Sequence, residues 1–298
     1  MPEEALGGLF VALASVQFGL VVVLGKVASN RGVPVESLLA IRFGLAAVLL
    51  AGALVATRKP LRAAPGEGAK LFVLGALGYG VEATLFFLAL ARGTASAVTL
   101  LFFVYPVIVT VISAFAGVGM PGALVVGSLG SAVAGVALVV GTSGRFDVTR
   151  SGIMFALGSA TMFALYLLGM ERTMKRTPSA VASTWVSGSA AIAIALFAFA
   201  SGKAVWPEGA HQWWPVIGTG VFTSGAFFAL FAGLRRLGAV RTAIIAALEP
   251  LSTATLAIVF LGDPLRGGTL AGGVLILAGA VTAGIARARR PEPETSVP

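Results

Sequence analysis

The chain has 298 residues, of which 57% are hydrophobic and 11% charged, and it carries 39 glycines. Such a composition has too little polar surface to cover a water-soluble domain of this size, which indicates an integral membrane protein. The net charge of +9 does not indicate a nucleic-acid-binding protein, because the basic residues cluster in short loops beside apolar runs. The chain has no cysteine, which excludes disulfides and a cysteine nucleophile.

Apolar stretches of about 20 residues follow one another along the chain, each near the length that crosses a hydrocarbon core of roughly 30 Å. The first is not a signal peptide, because Glu3 and Glu4 make its start acidic rather than basic. The predicted spans are 6–26, 35–57, 69–91, 95–117, 122–141, 152–170, 180–201, 213–234, 241–261 and 268–287. We therefore expect an all-α polytopic membrane protein with ten transmembrane helices.

The sequence also repeats itself. A shift of 144 residues superposes the first five spans on the last five without a gap. The shift aligns Gly8 with Gly152, Ser15 with Ser159, Gly25 with Gly169, Phe87 with Phe231, Arg92 with Arg236, Pro106 with Pro250 and Gly135 with Gly279. This predicts two five-helix repeats, 1–145 and 146–290, followed by a disordered tail at 291–298. Because five is odd, the second repeat enters the membrane from the opposite side, as in many secondary transporters.

The loop arginines and lysines predict the orientation. Thirteen lie on the side of the N-terminus and seven on the other side, and Arg42, which lies inside a span, completes the 21 in the chain. The positive-inside rule then places both termini in the cytoplasm.

Four charged residues lie within or at the edge of the spans: Lys26, Arg42, Glu82 and Glu249. At about 1.5 Å per residue, Arg42 and Glu82 lie at similar depths and are expected to pair, so that Arg42 has a structural role. Lys26 is close enough to a helix end to extend towards the headgroups, which also makes it structural. Glu249 has no basic residue at a matching depth and is the first candidate for contact with a substrate or a proton.

Glu249 precedes Pro250, and the repeat relates this pair to Tyr105 and Pro106. A proline inside a helix removes a hydrogen bond and bends or breaks the helix. We expect Pro106 and Pro250 to act as hinges that present Tyr105 and Glu249 to one central space.

Further polar and aromatic side chains lie inside the spans. Tyr79, Glu82 and Phe86 share one face of the third span, because they are three and seven residues apart. The remaining candidates for substrate contact are Gln17, Phe18, Tyr166, Trp185, Ser224 and Phe227. Each also has a simpler interpretation as core packing or, near a helix end, as an interfacial anchor.

Leu248-Glu249-Pro250, followed by Phe260-Leu261-Gly262-Asp263, resembles the end of an EamA-type repeat of the drug/metabolite transporter superfamily. That superfamily usually has glutamate where Asp263 stands, and the first repeat has 118–120, Val-Gly-Met, where its acidic ending would be. Phe18-Gly19, Arg42-Phe43 and the run from Phe86 to Pro106 extend the resemblance over the whole chain.

Within that superfamily the chain is most similar to the ten-helix YddG-type exporters of aromatic and other amino acids. The resemblance implies a multi-pass protein of the bacterial inner membrane that exports small metabolites by alternating access around a midplane cavity. Lipophilic cations, drugs and other metabolites are the alternative substrates. We expect the partners to be a small-molecule substrate and membrane lipid, without nucleic acid, and the sequence leaves monomer and homodimer open.

Other classes of function find less support in the sequence. It has no Walker motif, no HExxH and no GxSxG nucleophile elbow, so we expect neither an ATPase nor an intramembrane enzyme. His211 is the single histidine and lies in a loop, and we predict no cofactor and no metal site. A channel or scaffold is disfavoured by the repeat with its paired prolines.

Overall fold

The structure, a computed structural model, describes residues 3–116, 123–142, 148–246, 248–264 and 267–288. The predicted tail at 291–298 and the segment 118–120 lie outside these residues. The helices are α1 (Glu3–Asn30), α2 (Val35–Ala56), α3 (Gly68–Leu90), α4 (Ala95–Phe102), α5 (Tyr105–Ala116), α6 (Ala123–Thr142), α7 (Arg150–Thr173), α8 (Ser179–Ala200), α9 (Gly209–Ile245), α10 (Leu248–Leu261) and α11 (Gly267–Ala288). Apart from one bridge between Gly93 and Val148, the described residues form helices and connecting turns.

Eight helical segments of the described chain are long and apolar enough to cross a bilayer. They correspond to eight of the predicted spans, and α6 and α11 occupy the other two. The all-helical expectation is confirmed, while the count of ten spans stays a prediction.

Two of the predicted spans are not single continuous helices. The fourth divides into α4 and α5 at Phe103 and Val104, immediately before Tyr105 and Pro106. In the ninth, the helix that ends at Ile245 is followed by α10, which places Pro250 in the first turn of a new helix. A proline is tolerated there because the first helical turn has no partner for its backbone N–H. Both prolines therefore follow a break in a helix rather than bend a helix in its middle.

Another irregularity lies in α9, which changes direction at Gly238. This residue has φ 75°, a conformation that glycine adopts without steric cost. Oε1 of Glu171, near the end of α7, accepts a 2.9 Å hydrogen bond from the backbone N of Ala239. The carboxylate thus satisfies an amide at the point where the helix resumes.

Packing between the repeats is symmetric. α1 packs on α9 and, at the equivalent place, α7 packs on α3, while α2 pairs with its counterpart α8 and α6 with its counterpart α11. Oγ of Ser131 donates a 2.8 Å hydrogen bond to O of Leu275, a residue 144 positions away, so this bond joins two symmetry-related positions. A contact between equivalent positions of the two repeats lies on the pseudo-twofold axis that relates one repeat to the other.

The two repeats begin at opposite ends of the bundle. Glu4, at the start of α1, forms a 2.7 Å ion pair with Arg241, whereas Val148, just before α7, bridges Gly93 after the end of α3. Lys26 near the end of α1 bonds to Gly93 O, so the beginning of α7 lies at the end of the bundle where α1 finishes. We call these the N-terminal end and the opposite end.

Glycines at the pseudo-twofold axis bring α6 and α11 into backbone contact. A Cβ on Gly135 would lie 2.6 Å from Gly272 O, and a Cβ on its counterpart Gly279 would lie 2.7 Å from Ser128 O. Small residues commonly permit such close approach between membrane helices. Gly75 of α3 similarly has Val186 O 2.7 Å from the position of a Cβ, whereas Gly127 faces open space.

We expect Gly135→Ala to lower the stability of the folded protein by about 1–3 kcal/mol, since the methyl group must displace backbone atoms of α11. Gly127→Ala, on the same helix, is the matched control and should be neutral or slightly stabilising. The unfolding temperature of each purified variant in detergent measures the difference. Equal unfolding temperatures would contradict the close approach of the two helices.

Candidate functional site

A cavity lies at the centre of the bundle, and both repeats contribute side chains to it. Its walls come from α1, α2, α3 and α4 of the first repeat and from α7 and α10 of the second. The free volume of the cavity is about 40 Å³, which holds only a few water molecules, so binding of a larger molecule requires the lining side chains to move apart. Six of the candidate residues line it: Phe18, Arg42, Tyr79, Glu82, Phe86 and Glu249.

Arg42 supplies the positive charge of the cavity and is only 2% exposed. Its Nε donates a 2.7 Å hydrogen bond to Oγ1 of Thr223 on α9. Its guanidinium carbon lies 4.7 Å and 5.2 Å from the ring centroids of Phe43 and Phe87, which stabilise the cation without neutralising it. The side chain is therefore anchored across both repeats and remains within electrostatic reach of Glu82 and Glu249.

Glu82 is also buried, and its Oε1 accepts a 2.9 Å hydrogen bond from Oγ of Ser159 on α7. The expected direct pair with Arg42 is not among the ion pairs of the described residues, which join other side chains. Arg42 and Glu82 lie at similar depths and line the same cavity, as expected. Because each helix is also rotated about its own axis, the two side chains bond to different hydroxyl groups of the second repeat, those of Thr223 and Ser159. Arg42 and Glu82 therefore interact across the cavity rather than as a closed pair.

Glu249 lies in the first turn of α10, directly after the break in the helix, and is partly exposed to the cavity. Tyr105, its symmetry counterpart, is buried, with the ring of Phe102 5.1 Å and that of Phe163 4.7 Å away between centroids. Tyr105 interacts electrostatically with Glu249 but does not line the cavity. The two symmetry-related groups thus lie within electrostatic range of each other, and Glu249 alone of the two lines the cavity.

An aromatic layer packs around Tyr79, one of the residues that line the cavity. The ring of Tyr79 lies 4.7 Å from that of Phe227 and 5.1 Å from that of Tyr166, measured between centroids. Phe227 and Tyr166 are fully buried behind Tyr79, so they support this layer and do not line the cavity.

Three further candidates do not line the cavity. The amide of Gln17 packs against Gly225 of α9, and Oγ of Ser224 donates a 2.7 Å hydrogen bond to Val221 O of its own helix. Trp185 donates from Nε1 to Leu61 O, 2.9 Å away, in the connection between α2 and α3. Their role in substrate contact stays a prediction.

Lys26 fastens the opposite end of the bundle. Its Nζ donates to Leu90 O at 2.8 Å and to Gly93 O at 2.7 Å, so the charge lies at the carbonyl end of α3, where a cation is favoured. Beside it, Oδ2 of Asp263 accepts hydrogen bonds from N and Oγ of Ser96, at 3.1 Å and 3.2 Å, at the start of α4. The FLGD motif thus contributes a contact between α4 and the end of α10.

Glu67 joins the two repeats at the N-terminal end. Its carboxylate accepts hydrogen bonds from the backbone N of Arg176 at 3.0 Å and of Thr177 at 2.9 Å. Burial alone raises the pKa of Glu67, but the hydrogen bonds from Thr177 and Arg176 bring it below its usual value. The carboxylate is therefore ionised at neutral pH and holds the α2–α3 connection against the α7–α8 connection.

The sequence did not identify some residues that line the cavity or hold its charged groups, namely Thr223, Ser159, Phe87, Phe102 and Phe163. The repeat carried a signal for the first of them, because the 144-residue shift aligns Thr223 with Tyr79. The phenylalanines had no such signal, since most phenylalanines in an apolar chain pack in the core. Within the described ranges, no group of three or more histidine, aspartate or glutamate side chains could hold a metal ion.

Comparison with known proteins adds two findings. The family model described as "EamA-like transporter family" matches residues 5–141 and 150–285, which are nearly the two repeats found by the 144-residue shift. A solved protein, titled only as a crystal structure of a protein, is similar with a TM-score of 0.67 and 22% sequence identity, over 93% of this chain and 98% of that chain. At this identity the structural likeness indicates a shared fold.

Proposed function

The chain belongs to the EamA-like transporter family, and from that premise we propose that it is a secondary transporter that exports aromatic and other amino acids. The family indicates a multi-pass membrane protein that transports small molecules, and its members are generally not enzymes. The proposal adds a substrate class, a direction and a location in the bacterial inner membrane.

The central cavity is the observation that supports this substrate class. An amino acid carries a carboxylate, an ammonium group and a side chain, and the cavity offers a complement to each. Arg42 is the partner for the carboxylate, and Glu82 or Glu249 for the ammonium group. Phe86, Phe102 and Phe163 supply aromatic surface for a substrate ring.

Alternating access requires contacts that close each end of the bundle in turn, and candidates for such contacts lie at both ends. Glu67 holds the N-terminal end, Lys26 and Asp263 hold the opposite end, and the cavity lies between them. We propose that substrate passes when these two sets of contacts open in turn, with the breaks before Pro106 and Pro250 as hinges. The moving units would be the repeats 1–145 and 146–290.

The proposed orientation has ten spans and both termini in the cytoplasm, with the segment 291–298 as a cytoplasmic tail. Reporter fusions that are active only in the cytoplasm should therefore be active at both termini and inactive after Gly202, in the connection between α8 and α9. Opposite results at the two termini would show that the count of ten spans is wrong.

A second substrate class is lipophilic cations, because the cavity holds two carboxylates and one guanidinium among aromatic rings. Counterflow in proteoliposomes distinguishes the two classes. A panel of amino acids, organic cations and sugar phosphates should be tested with and without a pH gradient. We expect counterflow of phenylalanine or tryptophan, and movement of organic cations alone would replace the proposed substrate. Failure to obtain saturable exchange with any of them would instead indicate a channel or scaffold.

A further inference from the structure

A second, larger space opens at the N-terminal end of the bundle, away from the central cavity. It is a groove between α1 and α9 on one side and α2 and α8 on the other, with an empty volume of about 1200 Å³ that includes its opening. None of its lining residues lines the central cavity. The groove is therefore a separate feature of the molecule.

The rim of the groove carries three basic side chains, Lys59, Arg235 and Arg236, all of them exposed. We call these three residues the basic rim. The ion pairs of the described residues join other arginines and lysines, so the basic rim keeps its positive charge. Glu3 also lines the groove but forms no ion pair with the basic rim within 4.0 Å. With three basic side chains and one acidic side chain, the groove has a net positive charge.

The orientation of the rim is fixed by contacts inside the groove. Nη1 of Arg236 donates to Ala232 O at 2.7 Å, and its guanidinium carbon lies 5.3 Å from the ring centroid of Phe10. Nη1 of Arg235 is 3.4 Å from Thr177 O. Both arginines thus lie against the walls rather than extending freely into water.

Below the rim the groove is apolar. Its floor includes Phe10, Leu54, Val181 and Phe228, and the rings of Phe10 and Phe228 meet edge to face with centroids 6.0 Å apart. We call these four residues the apolar floor. Phe228 lies seven residues before Arg235, which corresponds to about 10 Å along a helix. The groove therefore combines a charged rim with apolar side chains on its walls.

We propose that this groove binds an anionic phospholipid, with the phosphate at the basic rim and an acyl chain along the apolar floor. The charge of the rim complements a phosphate, and basic residues beside membrane helices attract anionic headgroups. The floor favours a lipid over a soluble anion, because an apolar surface beside the charged rim gives no advantage to a free phosphate. The site would tie α2 and α8 to α1 and α9 at the end where Glu67 joins the repeats.

The test is binding of phosphatidylglycerol to the purified full-length protein in detergent, measured by native mass spectrometry beside phosphatidylcholine with the same acyl chains. We expect phosphatidylglycerol to bind at least tenfold more tightly than phosphatidylcholine to the parent. Lys59→Gln/Arg235→Gln/Arg236→Gln should reduce this preference at least tenfold, since each basic residue contributes to headgroup attraction. The control Arg62→Gln/Lys70→Gln/Lys175→Gln removes equal charge from exposed positions outside the groove and should keep the preference.

Lys59→Glu gives a second measurement, because no hydrogen bond or ion pair of the Lys59 side chain is found among the described residues, so the substitution breaks no such contact. Its unfolding temperature in phosphatidylcholine should equal that of the parent, while its preference for phosphatidylglycerol should fall. Glycerol 3-phosphate at millimolar concentration should not displace the lipid. Equal loss of preference in the two triple variants, or displacement by glycerol 3-phosphate, would overturn the proposed lipid site.

Discussion

Glu249→Gln is expected to weaken amino-acid binding by about 30-fold or more at every pH, while the protein still folds. Glutamine keeps the shape and the hydrogen-bonding capacity of the side chain but removes its charge. Loss of one partner from a buried charge pair costs about 2–5 kcal/mol, and 1.4 kcal/mol corresponds to tenfold in affinity. Binding of phenylalanine or tryptophan to the purified variant measures the change directly.

Glu36→Gln is the matched control for that substitution. Glu36 forms a 2.9 Å ion pair with Lys203 at the opposite end of the bundle, and it does not line the cavity. Because one partner of this pair is exposed, the loss should be small and should not alter substrate affinity.

A different outcome would assign Glu249 a different role. If the Glu249→Gln variant binds and exchanges amino acids normally but no longer responds to a pH gradient, the carboxyl group carries protons instead of holding the ammonium group. Transport equal to that of the parent at all pH values would remove both roles and leave a structural carboxylate.

The sequence predicted the helical spans well because hydrocarbon imposes a simple requirement on them. Each span must be about 20 apolar residues long and satisfy its own backbone hydrogen bonds, so its position can be read from composition alone. The internal repeat was equally readable, since a fixed 144-residue shift relates Pro106 to Pro250 and Gly135 to Gly279. In the structure the first pair follows two breaks in helices and the second lies at the axis between the repeats.

The partners of the charged groups could not be read in the same way. Helix rise gives the depth of a side chain, but its direction depends on how each helix is rotated and tilted against its neighbours. Arg42 and Glu82 were placed at one depth, yet Arg42 bonds to Thr223 and Glu82 to Ser159. Trp185 and Ser224 were candidates because they are polar groups in spans, and their partners lie outside the cavity.

Arg42 gives the second large expected effect. In the parent, phenylalanine should bind more tightly than phenethylamine, the aromatic amine that lacks its carboxylate, because Arg42 is the cation available to a carboxylate in the cavity. Arg42→Gln should abolish this preference by weakening phenylalanine at least tenfold while phenethylamine binds as well or better. Arg42→Lys keeps the charge but cannot form the same planar contacts, so it should retain part of the preference.

The same residue allows the anchoring to be tested apart from substrate. A double-mutant cycle between Arg42→Gln and Thr223→Val should show a coupling energy of about 1.5–3 kcal/mol, the range for a hydrogen bond to a charged group. The cycle between Arg42→Gln and Glu82→Gln should give a smaller coupling, because Glu82 is held by Ser159 and does not contact the guanidinium directly. For each cycle, the free energy of unfolding in detergent is measured for the parent, the two single variants and the double variant. If the second coupling exceeds the first, or if neutralising Arg42 and Glu82 together restores the stability that either single variant loses, then a direct ion pair holds Arg42 and the carboxylate site is already occupied by the protein itself.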